Sequence, residues 1–419
     1  MVGQAVADES YASVLVAGCR GPYGQQVEPV TSIEPPLRRA RFAISWAFAC
    51  QGVCFAALVT RIPTLKDRFD LTEGSLALLL AVVPVVAGVG SLGAGAAAAR
   101  VGSRRVLRVM GPVVPVSLVA VGAVDRLGLL VAALVLAGLG LGAVDAAMNM
   151  QGVSLQSRVG SSVMASFYAV FSLAGIIGAG TAAASAAADL SLVAMFAGIA
   201  LVLVPVQLVA GGWLLHHDVA AADVASREVP WRPIVLIGLA VTCVYILDSS
   251  VSNWSAVLLN DGLGSSESVA ALAYAAYAAT TLLGRALGDR QLRRRDPVAV
   301  VRISGGAAMV SVAVVGLAPA PWVALLGFAA LGLAICLVLP VAFVAADAHD
   351  PGDTGVAVAR VNVFNYVGFV LGAPLVGLLA EATGLRAAFL ALVPIAAALM
   401  ALAPRFDVPG TRSAAAEAG

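Results

Sequence analysis

From Arg41 onward, long apolar runs alternate with short polar segments along the chain. A helix needs about 20 apolar residues to cross the hydrocarbon core of a bilayer. Twelve runs approach or exceed that length: 42–61, 74–98, 105–124, 128–149, 163–187, 191–214, 234–257, 267–288, 298–317, 322–345, 356–379 and 386–403. The pattern therefore predicts an all-α membrane protein with twelve transmembrane helices.

The longest internal polar stretch, 216–232, falls between the sixth and seventh runs. It predicts an N-terminal six-helix bundle at 41–215, a cytoplasmic linker at 216–232, and a C-terminal six-helix bundle at 233–405. Residues 1–40 and 406–419 lack sustained periodicity. We interpret the first as a disordered cytoplasmic tail and the second as a short cytoplasmic tail.

Composition agrees with a membrane protein. Of the 419 residues, 60% are hydrophobic and only 12% are charged, whereas soluble domains have about 45–50% apolar and about 25% charged residues. The net charge is +1, so we expect a lipid bilayer and no nucleic acid as partner.

The five cysteines and three histidines show no spacing typical of metal ligands, so we expect no metal and no cofactor. We also expect a monomer.

Positive charge predicts the orientation, because cytoplasmic loops carry the excess of lysine and arginine. If the N-terminus is inside, 20 of the 25 lysines and arginines lie on the cytoplasmic side. The opposite orientation would reverse this bias. We therefore expect a multi-pass protein of the plasma membrane with both termini in the cytoplasm.

The two halves repeat one motif. Gly95-Ala-Ala-Ala-Ala99-Arg100-Val-Gly102-Ser-Arg104-Arg105 follows the second run, and Gly284-Arg285-Ala-Leu-Gly288-Asp289-Arg290 follows the eighth. Ala99 and Asp289 hold matching places, 190 residues apart. A repeat of about one half-chain is typical of transporters built from two related bundles.

These segments resemble the loop signature of the major facilitator superfamily, which runs Gly-x-x-x-Asp-Arg-x-Gly-Arg-Arg after the second span and has a weaker second copy. The matching residues here are Gly95, Arg100, Gly102, Arg104, Arg105, Gly284, Asp289 and Arg290. The resemblance implies two pseudo-symmetric six-helix bundles that move a small solute by alternating access. It also predicts Asp289 beside the start of the fifth span, near 161–163.

A second resemblance involves the glycine-rich fourth span and the Ser166-Phe167-Tyr168 segment. These residues resemble the branch of that superfamily that contains the L-fucose:proton symporter, in which an acid and an asparagine four apart stand on helix four and the acid carries the coupling proton. Asp145 and Asn149 match those positions. The resemblance implies that Asp145 is the proton-coupling residue.

Few other polar residues lie deep in the apolar runs. A charge at mid-bilayer costs at least about 2.5–3.5 kcal/mol, so such a group usually faces a cavity. Asp248, which opens the polar run Asp248-Ser-Ser-Val-Ser-Asn253, is therefore a second proton-coupling candidate. The candidates for lining a substrate cavity are Gln51, Asn149, Tyr168, Tyr245, Tyr274, Tyr277, Asn362, Asn365 and Tyr366. Alternatively, Asp145 pairs with a loop arginine, and the other residues form interhelical hydrogen bonds.

We predict a secondary transporter that moves a small polar organic solute together with protons. A drug or metabolite efflux proton antiporter remains an alternative, although no Gly-Pro-x-x-Gly-Gly run stands on the fifth span. A transport-dead membrane sensor is an alternative of another class. The sequence has no nucleotide-binding loop and no Ser/His/Asp arrangement on adjacent elements, so we do not expect an enzyme.

Overall fold

We describe the protein from a computed structural model that covers residues 34–71, 73–216, 229–350 and 354–407. The predicted disordered tail up to residue 33, most of the linker and the C-terminal tail beyond 407 lie outside the described residues. Within them we find helices and no strand. The first group is α1 (Pro35–Thr60), α2 (Ile62–Arg68), α3 (Glu73–Val101), α4 (Ser103–Ala123), α5 (Leu127–Val159), α6 (Met164–Ala187) and α7 (Leu192–Ala210).

The second group follows the linker. It comprises α8 (Trp231–Val257), α9 (Glu267–Leu292), α10 (Pro297–Leu317), α11 (Pro321–Ile335), α12 (Val338–Asp347), α13 (Val356–Thr383), α14 (Leu385–Leu390) and α15 (Val393–Leu402). Helices α1–α7 pack on one another as a first bundle, and α8–α15 pack on one another as a second bundle. The bundles meet chiefly where α3 packs on α13 and α6 packs on α9.

Over the described part of the chain, eleven helical segments are long and apolar enough to cross a membrane. The twelfth predicted span, 267–288, falls on α9, which has 26 residues and is therefore long enough. Helix α9 is not among the eleven segments, and it carries two tyrosines, two arginines and an aspartate. Three of these polar residues, Tyr274, Tyr277 and Arg285, belong to the functional site described below.

Two predicted spans are interrupted in the structure. The span predicted at 322–345 divides into α11 and α12, and the span predicted at 386–403 divides into α14 and α15. Pro340 and Pro394 lie near the starts of α12 and α15. Since a proline ring clashes with the carbonyl four residues earlier, the breaks fall at Cys336 and next to Leu390.

Two helix ends differ from the predicted boundaries. Helix α1 begins at Pro35 rather than near 41, because prolines are tolerated in the first turn of a helix. Helix α5 continues ten residues past the predicted end at 149 and stops at Gly160, which has a left-handed backbone (φ 67°). Three polar residues of this extension, Gln151, Ser154 and Gln156, are buried. The Gln156 side chain accepts hydrogen bonds from the backbone N–H groups of Val163 and Met164 at the start of α6.

Close packing of α3 on α5 depends on glycine. A methyl group built on Gly90 would overlap the carbonyl oxygen of Leu139, whereas one built on Gly93 of the same helix meets nothing within 4 Å. We expect Gly90→Ala to destabilise the protein by about 1–3 kcal/mol, the usual cost of overpacking. We expect Gly93→Ala to leave the melting temperature of the detergent-purified protein unchanged or slightly raised. Equal shifts for the two variants would contradict this packing argument.

Candidate functional site

Asp145 of α5 lies where the two bundles meet. Its Oδ2 atom accepts hydrogen bonds from the amide of Asn362 and from the hydroxyl of Tyr366, each at 2.9 Å, and both donors belong to α13. The Oδ1 atom has a long contact of 3.5 Å from the Asn149 amide. The carboxyl group of the first bundle is therefore held by the second bundle, while one of its oxygens has room for a proton.

The same cluster extends to α3. The Asn362 amide also donates to the Ser91 hydroxyl at 3.2 Å, and Ser91 in turn donates to the Ala359 carbonyl. Asn365 donates to the Asn362 side-chain oxygen at 2.6 Å, but its own side-chain oxygen is buried without a partner. The cluster thus joins α3, α5 and α13 and retains one unused acceptor.

Asn149 links the cluster to α6. It is fully buried, donates to the main-chain oxygen of Asp145 at 2.8 Å and accepts from the Tyr168 hydroxyl at 2.9 Å. The Tyr168 ring stacks on Phe343 of α12, with ring centroids 6.4 Å apart. Asp145 and Asn149 therefore share a face of α5, as their spacing predicts, and this face meets both α6 and the second bundle.

Arg285 is a central charge that sequence reasoning assigned to the loops. One of its Nη atoms donates to the Ser172 hydroxyl at 2.8 Å, and its guanidinium lies over the Tyr168 ring, 5.4 Å from the centroid. Arg285 stands four residues before Asp289. Residues four apart lie on the same face of a helix, so Arg285 lies on the face of Asp289 and one turn further from the loop. This spacing is the sequence signal that could have identified Arg285 as a residue between the bundles.

Asp248 of α8 lies outside the Asp145 cluster. Its carboxylate accepts a short hydrogen bond from the Tyr277 hydroxyl of α9. Tyr274 lies beside Tyr277, with ring centroids 6.1 Å apart, and is 48% exposed. Tyr245 is near all three central charges, Asp145, Asp248 and Arg285. Asp248 and the tyrosines therefore form a second polar cluster, which belongs to the second bundle alone.

Gln51 does not join either cluster. It lines a small cavity inside the first bundle together with Cys50, Gly111 and Gln207, and its side-chain oxygen is buried without a partner. The Cys50 thiol faces the Gln207 side-chain oxygen at 3.7 Å. The structure therefore places Gln51 among the helices of one bundle rather than between the two bundles.

Asp289 lies at the start of α6, where the loop motif predicts it. Its carboxylate accepts hydrogen bonds from the backbone N–H groups of Ala165 and Ser166 and from the Ser162 hydroxyl, all at 3.0 Å. The positive end of a helix dipole attracts a carboxylate. We call this group of contacts the α6–α9 latch, because it ties the end of a second-bundle helix to the start of a first-bundle helix.

The other copy of the motif lacks such a latch. Its acidic place is Ala99, which is buried. The start of α13 is instead capped by a residue of the second bundle itself. The Asp350 carboxylate accepts a hydrogen bond from the backbone N–H of Ala357 at 3.4 Å, and it also accepts from the backbone N–H and the hydroxyl of Thr354. The α3–α13 contact at this level is steric: a methyl group built on Gly95 would stand 2.7 Å from the Ala359 side chain.

The remaining motif residues shape the loops. Gly102 has a left-handed φ of 83° and separates α3 from α4. Arg104 lies 2.8 Å from His216 Nδ1 and donates to the Gly212 carbonyl at 2.7 Å. Gly284 packs against the thiol of Cys336, while Arg100, Arg105 and Arg290 are exposed. None of the loop arginines Arg104, Arg105 and Arg158 pairs with Asp145, whose described partners are amides and a hydroxyl.

The contacts between the bundles fall on one side of the molecule. The Asp145 cluster, the Arg285–Ser172 contact and the α6–α9 latch all lie in the parts of their helices that lead to the motif loops. On α13, for example, the contact residues Asn362 and Tyr366 stand in the first half of a helix that continues to Thr383. The described structure is therefore closed on the side of the motif loops.

Comparison with known proteins gives one family. The family model described as Major Facilitator Superfamily matches residues 20–179 and 237–418. An uncharacterised transporter of Sinorhizobium fredii is 28% identical over 86% of this chain and 96% of its own length. An uncharacterised MFS-type transporter of Yersinia pestis is 29% identical over 85% of this chain and 94% of its own length.

The fold agrees with this assignment. The crystal structure of FucP, a transporter of this superfamily in its outward conformation, has a TM-score of 0.71 and 14% sequence identity, with 88% of this chain and 98% of that chain covered. The predicted fold class, two bundles of membrane-spanning helices, is thereby confirmed. Because the family model matches most of the chain, the protein belongs to the major facilitator superfamily, whose members are transporters rather than enzymes.

Proposed function

We propose that the protein is a secondary active transporter that couples the movement of a small polar organic solute to protons, with Asp145 as the coupling residue. The observation that carries this proposal is the position of the Asp145 carboxyl group, which α5 contributes and α13 holds through two hydrogen bonds. A proton on this group changes a charge that both bundles share. No other described carboxyl group deep in a span is held in this way.

The coupling follows from the energetics of a buried carboxylate. A charge in the membrane interior is costly unless donors compensate it, and Asn362 and Tyr366 supply those donors only while the bundles are closed on the motif-loop side. Separation of α5 from α13 would leave the charged form without them. Charge-assisted hydrogen bonds contribute about 1.5–3 kcal/mol each, so the charged and neutral forms favour different arrangements of the bundles.

The polar residues next to Asp145 suit an uncharged, hydroxyl-bearing part of a solute. Asn365 has a free buried acceptor, and Tyr245, Tyr274 and Tyr277 present aromatic faces and hydroxyl groups on α8 and α9. Binding sites for small molecules combine such apolar faces with a few well-placed polar groups. We place the solute between Asp145 and the Asp248–Tyr277 pair.

The moving units in this proposal are the bundles at 41–215 and 233–405, joined by the linker 216–232. The distribution of lysine and arginine favours a cytoplasmic position for the motif loops and both termini, and with this orientation a structure closed on the motif-loop side is an outward-facing state. Reporter fusions at Gly419 and in the loop near Arg126 test the orientation. A fluorescent-protein signal from the first and a phosphatase signal from the second are expected, and the reverse would overturn it.

Transport by purified protein in proteoliposomes tests the function. A panel of labelled polar metabolites is offered with and without a pH gradient, acidic outside. Accumulation that requires the gradient supports proton symport, and gradient-driven exclusion supports the efflux antiporter instead. If the panel neither accumulates nor exchanges while an authentic transporter prepared in the same way does, the transport-dead sensor becomes the better explanation.

A further inference from the structure

Arg285 is a cation between the bundles that has no direct contact with an acid among the described residues, although Asp248 lies within electrostatic range of it. Among the described residues, its partners are the Ser172 hydroxyl and the Tyr168 ring. The two central acids have other partners, since Asp145 is held by Asn362 and Tyr366, and Asp248 by Tyr277. A partly buried charge that is not hydrogen-bonded to a counter-charge is only partly compensated, so its presence calls for an explanation.

The hydrogen-bond donors of Arg285 are also largely unused. A guanidinium has five N–H donors in a planar fork, and the described contacts use one of them. Its Nε atom is buried and has no partner. This fork matches the two oxygens of a carboxylate, which it binds through two parallel hydrogen bonds.

The groups around Arg285 suit the rest of a hydroxylated molecule. The Tyr245 hydroxyl has no hydrogen-bond partner among the described residues and lies within electrostatic reach of Asp145, Asp248 and Arg285. Because the Tyr277 hydroxyl donates to Asp248, this pair offers carboxylate and phenol oxygens as acceptors for solute hydroxyl groups. The cation and these polar groups thus lie near one another, close to the contact between the bundles.

We propose that the transported solute is a small hydroxylated monocarboxylate, such as a sugar acid, whose carboxylate binds Arg285. This inference rests on the proposed transport function and specifies its substrate class. The bound carboxylate supplies a counter-charge that is hydrogen-bonded to the guanidinium, and the Tyr245 hydroxyl and the Asp248–Tyr277 pair bind the hydroxyl groups. Neutral sugars leave the guanidinium donors without an anionic partner and bind more weakly.

Binding measurements on pairs of ligands, each a sugar acid and its neutral counterpart, test whether the protein binds a carboxylate, and they do not require transport. Purified protein is titrated with D-galacturonate and D-galactose, and with D-gluconate and D-sorbitol, and the shift in melting temperature is followed. We expect at least one acid to stabilise the protein, with its neutral counterpart binding at least about tenfold more weakly. Loss of one charged hydrogen-bonding group corresponds to a loss of about 10- to 100-fold in affinity.

Three variants separate anion binding from a structural role. Arg285→Gln should weaken binding of the acid by about 10- to 100-fold, and Arg285→Lys by less, because it keeps the charge but loses the fork. Arg302→Gln, which changes an exposed arginine of the same bundle, should bind like the parent. Ser172→Ala removes the bridge to α6 but keeps the guanidinium, so acid binding should persist.

The outcomes distinguish this inference from the function on which it rests. Equal binding of acid and neutral partner, or no binding of any acid, overturns the anion assignment while leaving transport of another solute intact. A Ser172→Ala variant as defective as Arg285→Gln shows that Arg285 serves only to bridge α9 and α6. Acid binding that depends on Arg285, without uptake driven by a pH gradient, supports the anion site and refutes proton coupling.

Discussion

Replacing Asp145 with asparagine is expected to abolish gradient-driven accumulation of solute while leaving exchange across the membrane measurable. The asparagine side chain has nearly the same shape and can still accept hydrogen bonds from Asn362 and Tyr366, but it cannot release a proton. The variant therefore resembles the permanently protonated transporter. Counterflow of labelled solute in proteoliposomes measures exchange, and uptake under a pH gradient measures coupling.

The control for this variant is Asp125→Asn, which neutralises an exposed acid between α4 and α5 and should accumulate solute like the parent. If Asp145→Asn accumulates solute against a gradient as well as the parent does, Asp145 is not the coupling residue and Asp248 becomes the next candidate. Loss of both exchange and accumulation, with a lowered melting temperature, would indicate a structural role for Asp145.

Replacing Asp289 with alanine is expected to open the molecule on the side of the motif loops. The change removes three hydrogen bonds between the end of α9 and the start of α6. Hydrogen bonds to a charged group contribute about 1.5–3 kcal/mol each when well shielded, and this site is partly exposed. We therefore expect the ratio of open to closed molecules to rise about 10- to 100-fold.

Thiol labelling measures this opening. Met150 is buried against Gly355 between the bundles, so a Met150→Cys probe, in a background without native cysteines, should react with a maleimide only when the bundles separate. Asp296→Ala is the matched control, since Asp296 also accepts from a helix N-terminus, at Ala299, but within its own helix. Equal labelling of the two variants would contradict the prediction that the α6–α9 latch keeps the bundles closed on the side of the motif loops.

Sequence periodicity was sufficient to predict the helices and the pairs within each helix. Asp145 and Asn149, like Asn362 and Tyr366, stand four residues apart, and each pair lies on one helix face as this spacing predicts. That the two pairs meet each other depends on the packing of α5 on α13. This is a long-range contact that spacing within one helix does not encode.

The same reasoning explains what the sequence did not reveal. Gln51 was chosen for its polarity at mid-span, but polarity alone does not distinguish a residue between the bundles from one inside a bundle. Arg285 stands near the end of the predicted span 267–288 and within the repeated loop motif, so the sequence favoured a place on the cytoplasmic side rather than between the bundles. Helix α9 continues to Leu292, which places Arg285 two turns inside the helix.

The two seams between the bundles are held by different forces, and this affects the order in which they open. The α6–α9 seam has a carboxylate on a helix start, whereas α13 is capped by Asp350 of its own bundle and is tied to the first bundle through Ser91 and the Asp145 carboxyl group. Protonation of Asp145 weakens only the second of these ties, so we expect the α3–α13 seam to part first, with the α6–α9 seam serving as the pivot. Asp145 borders the seam that parts first, so water from the loop side would reach its carboxyl group early in the movement, before the solute is released.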